Sequence, residues 1–123
     1  NWFQGQRRGQ PHNGVITYVT NGELEIRTRS QLDPQGSADL CVRPENIELV
    51  DVAAGGAVDD LAHNVLPGVV LDVAPLGADV HVVVELRDKS RVLVIRKNTA
   101  KGSGFVTGQP VGARFSASDV LIF

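Results

Sequence analysis

Val15-Ile16-Thr17-Tyr18-Val19-Thr20, then Asn21-Gly22, then Glu23-Leu24-Glu25-Ile26-Arg27-Thr28-Arg29: the reading of the fold turns on these residues. The second run alternates with the two-residue period of a pleated sheet. Leu24, Ile26 and Thr28 face one way and Glu23, Glu25, Arg27 and Arg29 the other, which predicts a strand with one buried and one wet face. The first run is β-branched and aromatic, and Asn21-Gly22 is the dipeptide that best tolerates the positive φ angles of a tight hairpin turn. An antiparallel hairpin is therefore expected here. Ser30 to Ser37, with Asp33, Pro34 and Gly36, reads as a loop, and Ala38 to Arg43 as a further short strand that Pro44 ends.

The same punctuation continues downstream. Val65 to Ala74, a turn at Pro75 to Asp79, Val80 to Arg87, a turn at Asp88 to Ser90 and Arg91 to Lys97 predict a three-stranded meander. Gln109 to Ser116 and Val120 to Phe123 supply closing strands, and no segment carries a helical apolar stripe. Between the two groups, Asp51 to His63 holds Ala53, Ala54, Gly55, Gly56, Ala57, Asp59 and Asp60, small or acidic residues that cannot anchor a core. The expected organisation is a first lobe over 1–51, a connector over 52–63 and a second lobe over 64–123. Strands this short and numerous predict an all-β chain of two small, partly open antiparallel barrels of five strands. Lobes of that size bury little core alone, so they should pack on each other or on a second chain.

Composition agrees. The chain has 123 residues, 42% hydrophobic and 21% charged, and its 19 Val, 5 Ile and 5 Thr suit a pleated surface better than a helix. Twelve basic against 14 acidic residues give a net charge of −2, which offers no broad attraction to nucleic acid or anionic lipid. One cysteine, Cys41, forms no internal disulfide and suggests a reducing compartment. The apolar runs are far shorter than the roughly 20 residues a bilayer needs, and the start at Asn1 suggests a piece of a longer soluble chain.

Motifs for bond chemistry are missing from the sequence. Lys101-Gly102-Ser103-Gly104 has its lysine ahead of the glycines, so it reads as a solvated turn rather than a phosphate loop. His12, His63 and His81 are scattered, and Cys41 lacks the companions a metal site requires. His81, Glu85 and Arg87 share strand parity and read as a solvated face; no Gly-x-Ser-x-Gly elbow is present. The aromatics are thin: Trp2 and Phe3 stand at the start, Tyr18 and Phe105 among aliphatics, and Arg7-Arg8 has no basic company in sequence. Packing therefore outweighs base stacking, and neither an enzyme nor a nucleic-acid binder is expected.

Cys41-Val42-Arg43-Pro44-Glu45-Asn46-Ile47-Glu48-Leu49 resembles the apolar-Arg-Pro-Glu-x-Ile/Leu signature of the C-terminal TOBE (transport-associated OB-type) region of ATP-binding-cassette importer ATPases. Asn64-Val65-Leu66-Pro67-Gly68-Val69-Val70, Pro75-Leu76-Gly77-Ala78-Asp79, the opening Asn1-Trp2-Phe3-Gln4-Gly5 and the closing Leu121-Ile122-Phe123 are similar to that region in order and spacing. The resemblance implies a non-catalytic regulatory and dimerisation module of OB-like lobes. Its partners would be a second copy, the parent's ATPase domain and, indirectly, permease subunits. ATP and Mg would belong to the parent's N-terminal domain, at the cytoplasmic face of the membrane, in import of iron, a polyamine, sulfate, a phosphonate or a sugar.

Physical roles follow for the matched positions. Pro44 fixes its own φ and keeps Arg43 extended, and Arg43 and Glu45 can hold each other or a partner. Gly68 and Gly77 are expected at bends or bulges. The alternative is a barrel that binds a small oxyanion, as some relatives bind molybdate or tungstate between subunits, with Lys101, Ser103, Ser116 and Ser118 as candidates.

Overall fold

The structure is a computed structural model, and it describes residues 1–29, 36–51, 62–98 and 104–123. Ten strands carry the chain: β1 (Trp2–His12), β2 (Val15–Thr20), β3 (Glu25–Thr28), β4 (Ser37–Val42), β5 (Glu48–Val50), β6 (His63–Leu76), β7 (Asp79–Leu86), β8 (Arg91–Lys97), β9 (Pro110–Ser116) and β10 (Val120–Ile122). Two one-turn 3-10 helices, Pro44–Asn46 and Ala117–Asp119, are the helical elements among the described residues. Every strand pairing is antiparallel, in two five-stranded sheets ordered β10-β4-β1-β2-β3 and β5-β9-β6-β7-β8. Each sheet curls until its edges approach, β3 towards β10 in the first and β5 towards β8 in the second, which gives two OB-like barrels. The all-β, OB-like architecture expected from the sequence is present.

The sheets do not follow the expected boundary between lobes. β5, at the end of segment 1–51, pairs with β9 in the second sheet, and β10, at the end of segment 64–123, pairs with β4 in the first. Each barrel thus borrows its fifth strand from the other half, and each crossover is made by one 3-10 turn. Sequence periodicity marks a strand but not its partner, so the exchange was hidden from it. The result is a pseudo-twofold repeat: β1 to β4 with a crossover to β5, then β6 to β9 with a crossover to β10. One continuous core contains side chains of both barrels, including Tyr18, Ile26, Leu40 and Ile122 from the first and Val82, Val94, Val111 and Phe115 from the second. Burying such a side chain is worth about 1.5–3 kcal/mol, and sharing the layer offsets the small size of each barrel.

Local expectations fare unevenly. Leu24, Ile26 and Thr28 are buried while Glu25 and Arg29 are exposed, as alternation predicts. The hairpin over β2 and β3 exists, but its connection is not a two-residue Asn-Gly turn. Leu24 N–H donates to the Thr20 hydroxyl at 3.1 Å, Thr20 N–H donates to the Leu24 carbonyl at 2.9 Å, and the positive φ falls on Glu23. Gly22 serves packing instead: a Cβ there would lie 2.1 Å from the Cβ of Asp88, in the turn between β7 and β8. β1, central in the first sheet, went unread because Gly5, Gly9, Pro11 and paired arginines break the strand pattern; pairing on both edges overrides that local preference. The expected loop over 30–37 and connector over 52–63 lie mostly outside the described residues.

Candidate functional site

The Asn-x-x-x-Gly sequence, present three times, marks equivalent places in the two halves at Asn1–Gly5 and Asn64–Gly68. Asn64 is buried. Its amide nitrogen donates to the Arg27 carbonyl at 2.9 Å and its oxygen accepts from the Arg27 N–H at 2.7 Å. Asn1 does the same with Leu93 on β8, at 2.9 and 2.7 Å. In each case the side-chain amide acts as one more rung on the outer edge of the other barrel's third strand. The two glycines answer a close approach. A Cβ on Gly68 would lie 2.6 Å from the Glu85 carbonyl oxygen, and one on Gly5 2.9 Å from the Tyr18 Cβ.

By tying β3 to the start of β6, Asn64 forms the floor of a groove between the barrels, about 870 Å3 in volume. Its basic lining is Arg7 and Arg8 from β1, Arg27 from β3, His63 from β6 and Arg87 just past β7, with Glu23 and Glu25 as the acidic members. The sheet register explains the assembly. Arg8 pairs with Thr17 and Thr17 with Arg27, so these three residues form one row across the outer face of the first barrel. Arg8 reaches over β2 to form an ion pair with Glu25. Arg87 crosses from the second barrel and donates to the Glu23 carbonyl at 2.8 Å. Both arginines are exposed, and a guanidinium with five donors is not exhausted by one such contact.

Chemically the groove is suited to holding anions. Arginine stays charged at any working pH, and its planar fork matches the oxygen spacing of tetrahedral anions and carboxylates. Among the described residues no cluster of histidine, cysteine and carboxylate could hold a metal ion. His81 lies on β7 opposite Ile95, outside the groove, and Glu85 pairs with Lys89 at 3.6 Å.

The residues singled out in the sequence fall elsewhere. Arg43 caps the first 3-10 turn with extended backbone, Pro44 begins that turn, and Glu45 is exposed; among the described residues no ion pair joins Arg43 to Glu45. The motif's described role is the crossover that delivers β5 to the second barrel. Gly77, with φ +68°, makes the turn between β6 and β7. Gly68 lies in a regular ladder, and the bulge of β6 falls three residues later, between Val70 and Asp72. Lys101 and Ser103 lie outside the described residues. Ser116 ends β9 directly opposite His63, and its hydroxyl accepts from the Ser118 N–H at 3.1 Å. Ser116 therefore sits beside the groove and Ser118 on the turn after it. Arg27, Arg87 and Asn64 were missed as site residues. The Asn-x-x-x-Gly shared by Asn1–Gly5 and Asn64–Gly68 was a weak signal of a doubled unit, since Asn98–Gly102 carries it too, and Arg7-Arg8 gains its basic company through space.

Two OB-like barrels that exchange strands and meet at a cationic groove define a class of fold, a duplicated small barrel. Within that class the chain belongs to the TOBE domain family, whose profile matches residues 40–123. No curated protein matches by sequence. Among solved structures, the chain is similar to the cytoplasmic molybdate-binding protein ModG with molybdate bound. The TM-score is 0.77 and the identity 17%, over 99% of this chain and 94% of that chain. At that identity the likeness establishes the fold.

Proposed function

We propose that this chain is a non-catalytic domain that binds a small oxyanion in the groove between its barrels. The observation that carries the reading is the convergence of Arg7, Arg8, Arg27 and Arg87, from both halves, in a chain whose net charge is −2. A broad positive surface would attract any polyanion, whereas charge gathered in one groove selects by position. Support comes from ModG, a molybdate-binding protein with the same fold over nearly its whole length. Ser116, beside His63, is the member of the serine set placed to add a hydroxyl. The test is thermal unfolding with molybdate, tungstate, sulfate and phosphate. A ligand at 100 times its dissociation constant adds about 2.7 kcal/mol of stability. Unchanged melting with all four would remove the reading.

A second reading is favoured by the family match, which includes the Arg43-Pro44-Glu45 turn with Arg43 and Glu45 exposed. In it the domain belongs to an ATP-binding importer subunit at the cytoplasmic face of the membrane, holds two copies together and biases the motor they form. Coupling of about 1–3 kcal/mol would suffice. Sedimentation of the chain tests it, since a monomer at all concentrations excludes self-association through this domain.

A further inference from the structure

We infer that the groove accommodates a linear condensed oxyanion, a chain of three or more tetrahedral units of the polyphosphate type, rather than one tetrahedral ion. This rests on the oxyanion reading above and goes beyond it in naming the ligand's shape. The observation is the arrangement of cations along Glu23–Arg27, from the end of the β2–β3 turn into β3. Arg87 is held at the carbonyl of Glu23, the Arg8 side chain is held at Glu25, and Arg27 follows two residues further on, all lining one groove. Two residues of strand advance about 7 Å, the separation of Glu25 from Arg27, and Glu23 in the turn before β3 extends the row further, to a span on the order of 10 Å. A single tetrahedral ion cannot touch both ends of such a line, whereas a chain of linked units can.

The groove is also large enough for more than one unit. At the roughly 30 Å3 that a water molecule occupies in the liquid, the five heavy atoms of a tetrahedral oxyanion fill on the order of 150 Å3. The groove is about 870 Å3. The Arg8–Glu25 pair is no obstacle, because side chains 64% and 49% exposed form a weak pair that an incoming anion displaces. Once one unit has bound, the next meets its arginine at high effective concentration, so affinity rises with chain length until the row is filled. Among the described residues no Phe, Tyr or Trp lines the groove and His63 is its one aromatic ring, short of the stacking platforms that single-stranded nucleic-acid sites use, which favours an inorganic chain over an oligonucleotide.

The experiment is calorimetric titration of the 123-residue chain with molybdate, phosphate, tripolyphosphate and a short oligothymidylate, at matched ionic strength. It is repeated with Arg8→Ala, Arg87→Ala and, as a charge-matched control outside the groove, Arg91→Ala, each checked for folding by circular dichroism. The expected result is tripolyphosphate binding at least 10-fold tighter than either single ion. Arg8→Ala and Arg87→Ala should each weaken it several-fold while Arg91→Ala leaves it unchanged. Single ions binding as tightly as tripolyphosphate would overturn the inference and leave the oxyanion function standing. Equal losses in Arg91→Ala would overturn it in favour of diffuse attraction, and equal affinity for the oligonucleotide in favour of a nucleic-acid site. No binding by any anion would remove the parent reading as well.

Discussion

Replacing Asn64 with alanine should loosen the junction of the two barrels at one point. Asn64 is 3% exposed and makes two hydrogen bonds to the backbone of Arg27, at 2.7 and 2.9 Å. Each is worth about 0.5–1.5 kcal/mol net, and a buried peptide group left without its partner costs about 1–3 kcal/mol. Since water can reach part of the vacated edge, the loss should be about 2–4 kcal/mol. For a chain of this length, between the size classes surveyed, that corresponds to a fall of roughly 8–16 °C in melting temperature. Urea unfolding with linear extrapolation measures the loss, and amide exchange at Arg27 locates it, because that N–H loses its acceptor. Aspartate should rescue little, since a carboxylate keeps the acceptor but has no hydrogen to offer the Arg27 carbonyl. A loss below 1 kcal/mol with unchanged protection at Arg27 would refute the assignment of Asn64 as the tie between barrels. If Asn64 also sets the groove, the variant should lose anion affinity even though its side chain carries no charge.

Other expectations follow from particular contacts. Ile122→Ala should cost about 2–4 kcal/mol in urea unfolding, because Ile122 is buried on the exchanged strand; a frayed terminal residue would lose almost nothing. Gly68→Ala should cost about 2 kcal/mol or more, its Cβ meeting the Glu85 backbone, whereas Gly77→Ala, with open space but a φ of +68°, should cost about 1–2 kcal/mol. Gly22→Ala should separate the β2–β3 turn from Asp88 and reduce the melting temperature by several degrees, with a smaller effect when Asp88 is already glycine, which removes the Cβ it meets. Arg114→Ala should change stability by less than about 1 kcal/mol, since its 3.5 Å pair with Glu48 is largely exposed.

The strands were mostly legible in the sequence because alternation is local. Leu24, Ile26 and Thr28 set their own burial by the pleat, and the turns around Gly77 and Asp88 separate β6, β7 and β8 without reference to any other part of the chain. β1 was not legible, because its glycines, proline and charges argue against a strand that two neighbours nonetheless hold in place. The crossovers were half legible. Pro44 correctly ended β4, but nothing in Arg43-Pro44-Glu45 says that the next three residues join the other sheet. Of the groove's cations, Arg7-Arg8 was legible only as an isolated pair, and Arg27 only as part of the wet face of β3.

What the sequence determined by itself is an all-β chain with its strands nearly in place, and its membership of a family with a recognisable Arg-Pro-Glu turn. Only the tertiary structure decided that the two halves trade their last strands, and that Arg8, Arg27 and Arg87, distant in the chain, line one groove. The physical reason is that side-chain parity is fixed by each strand's own pleat, whereas pairing is fixed by burial. Neither half is large enough to close its own core, so each accepts a strand from the other, and the groove forms where they meet.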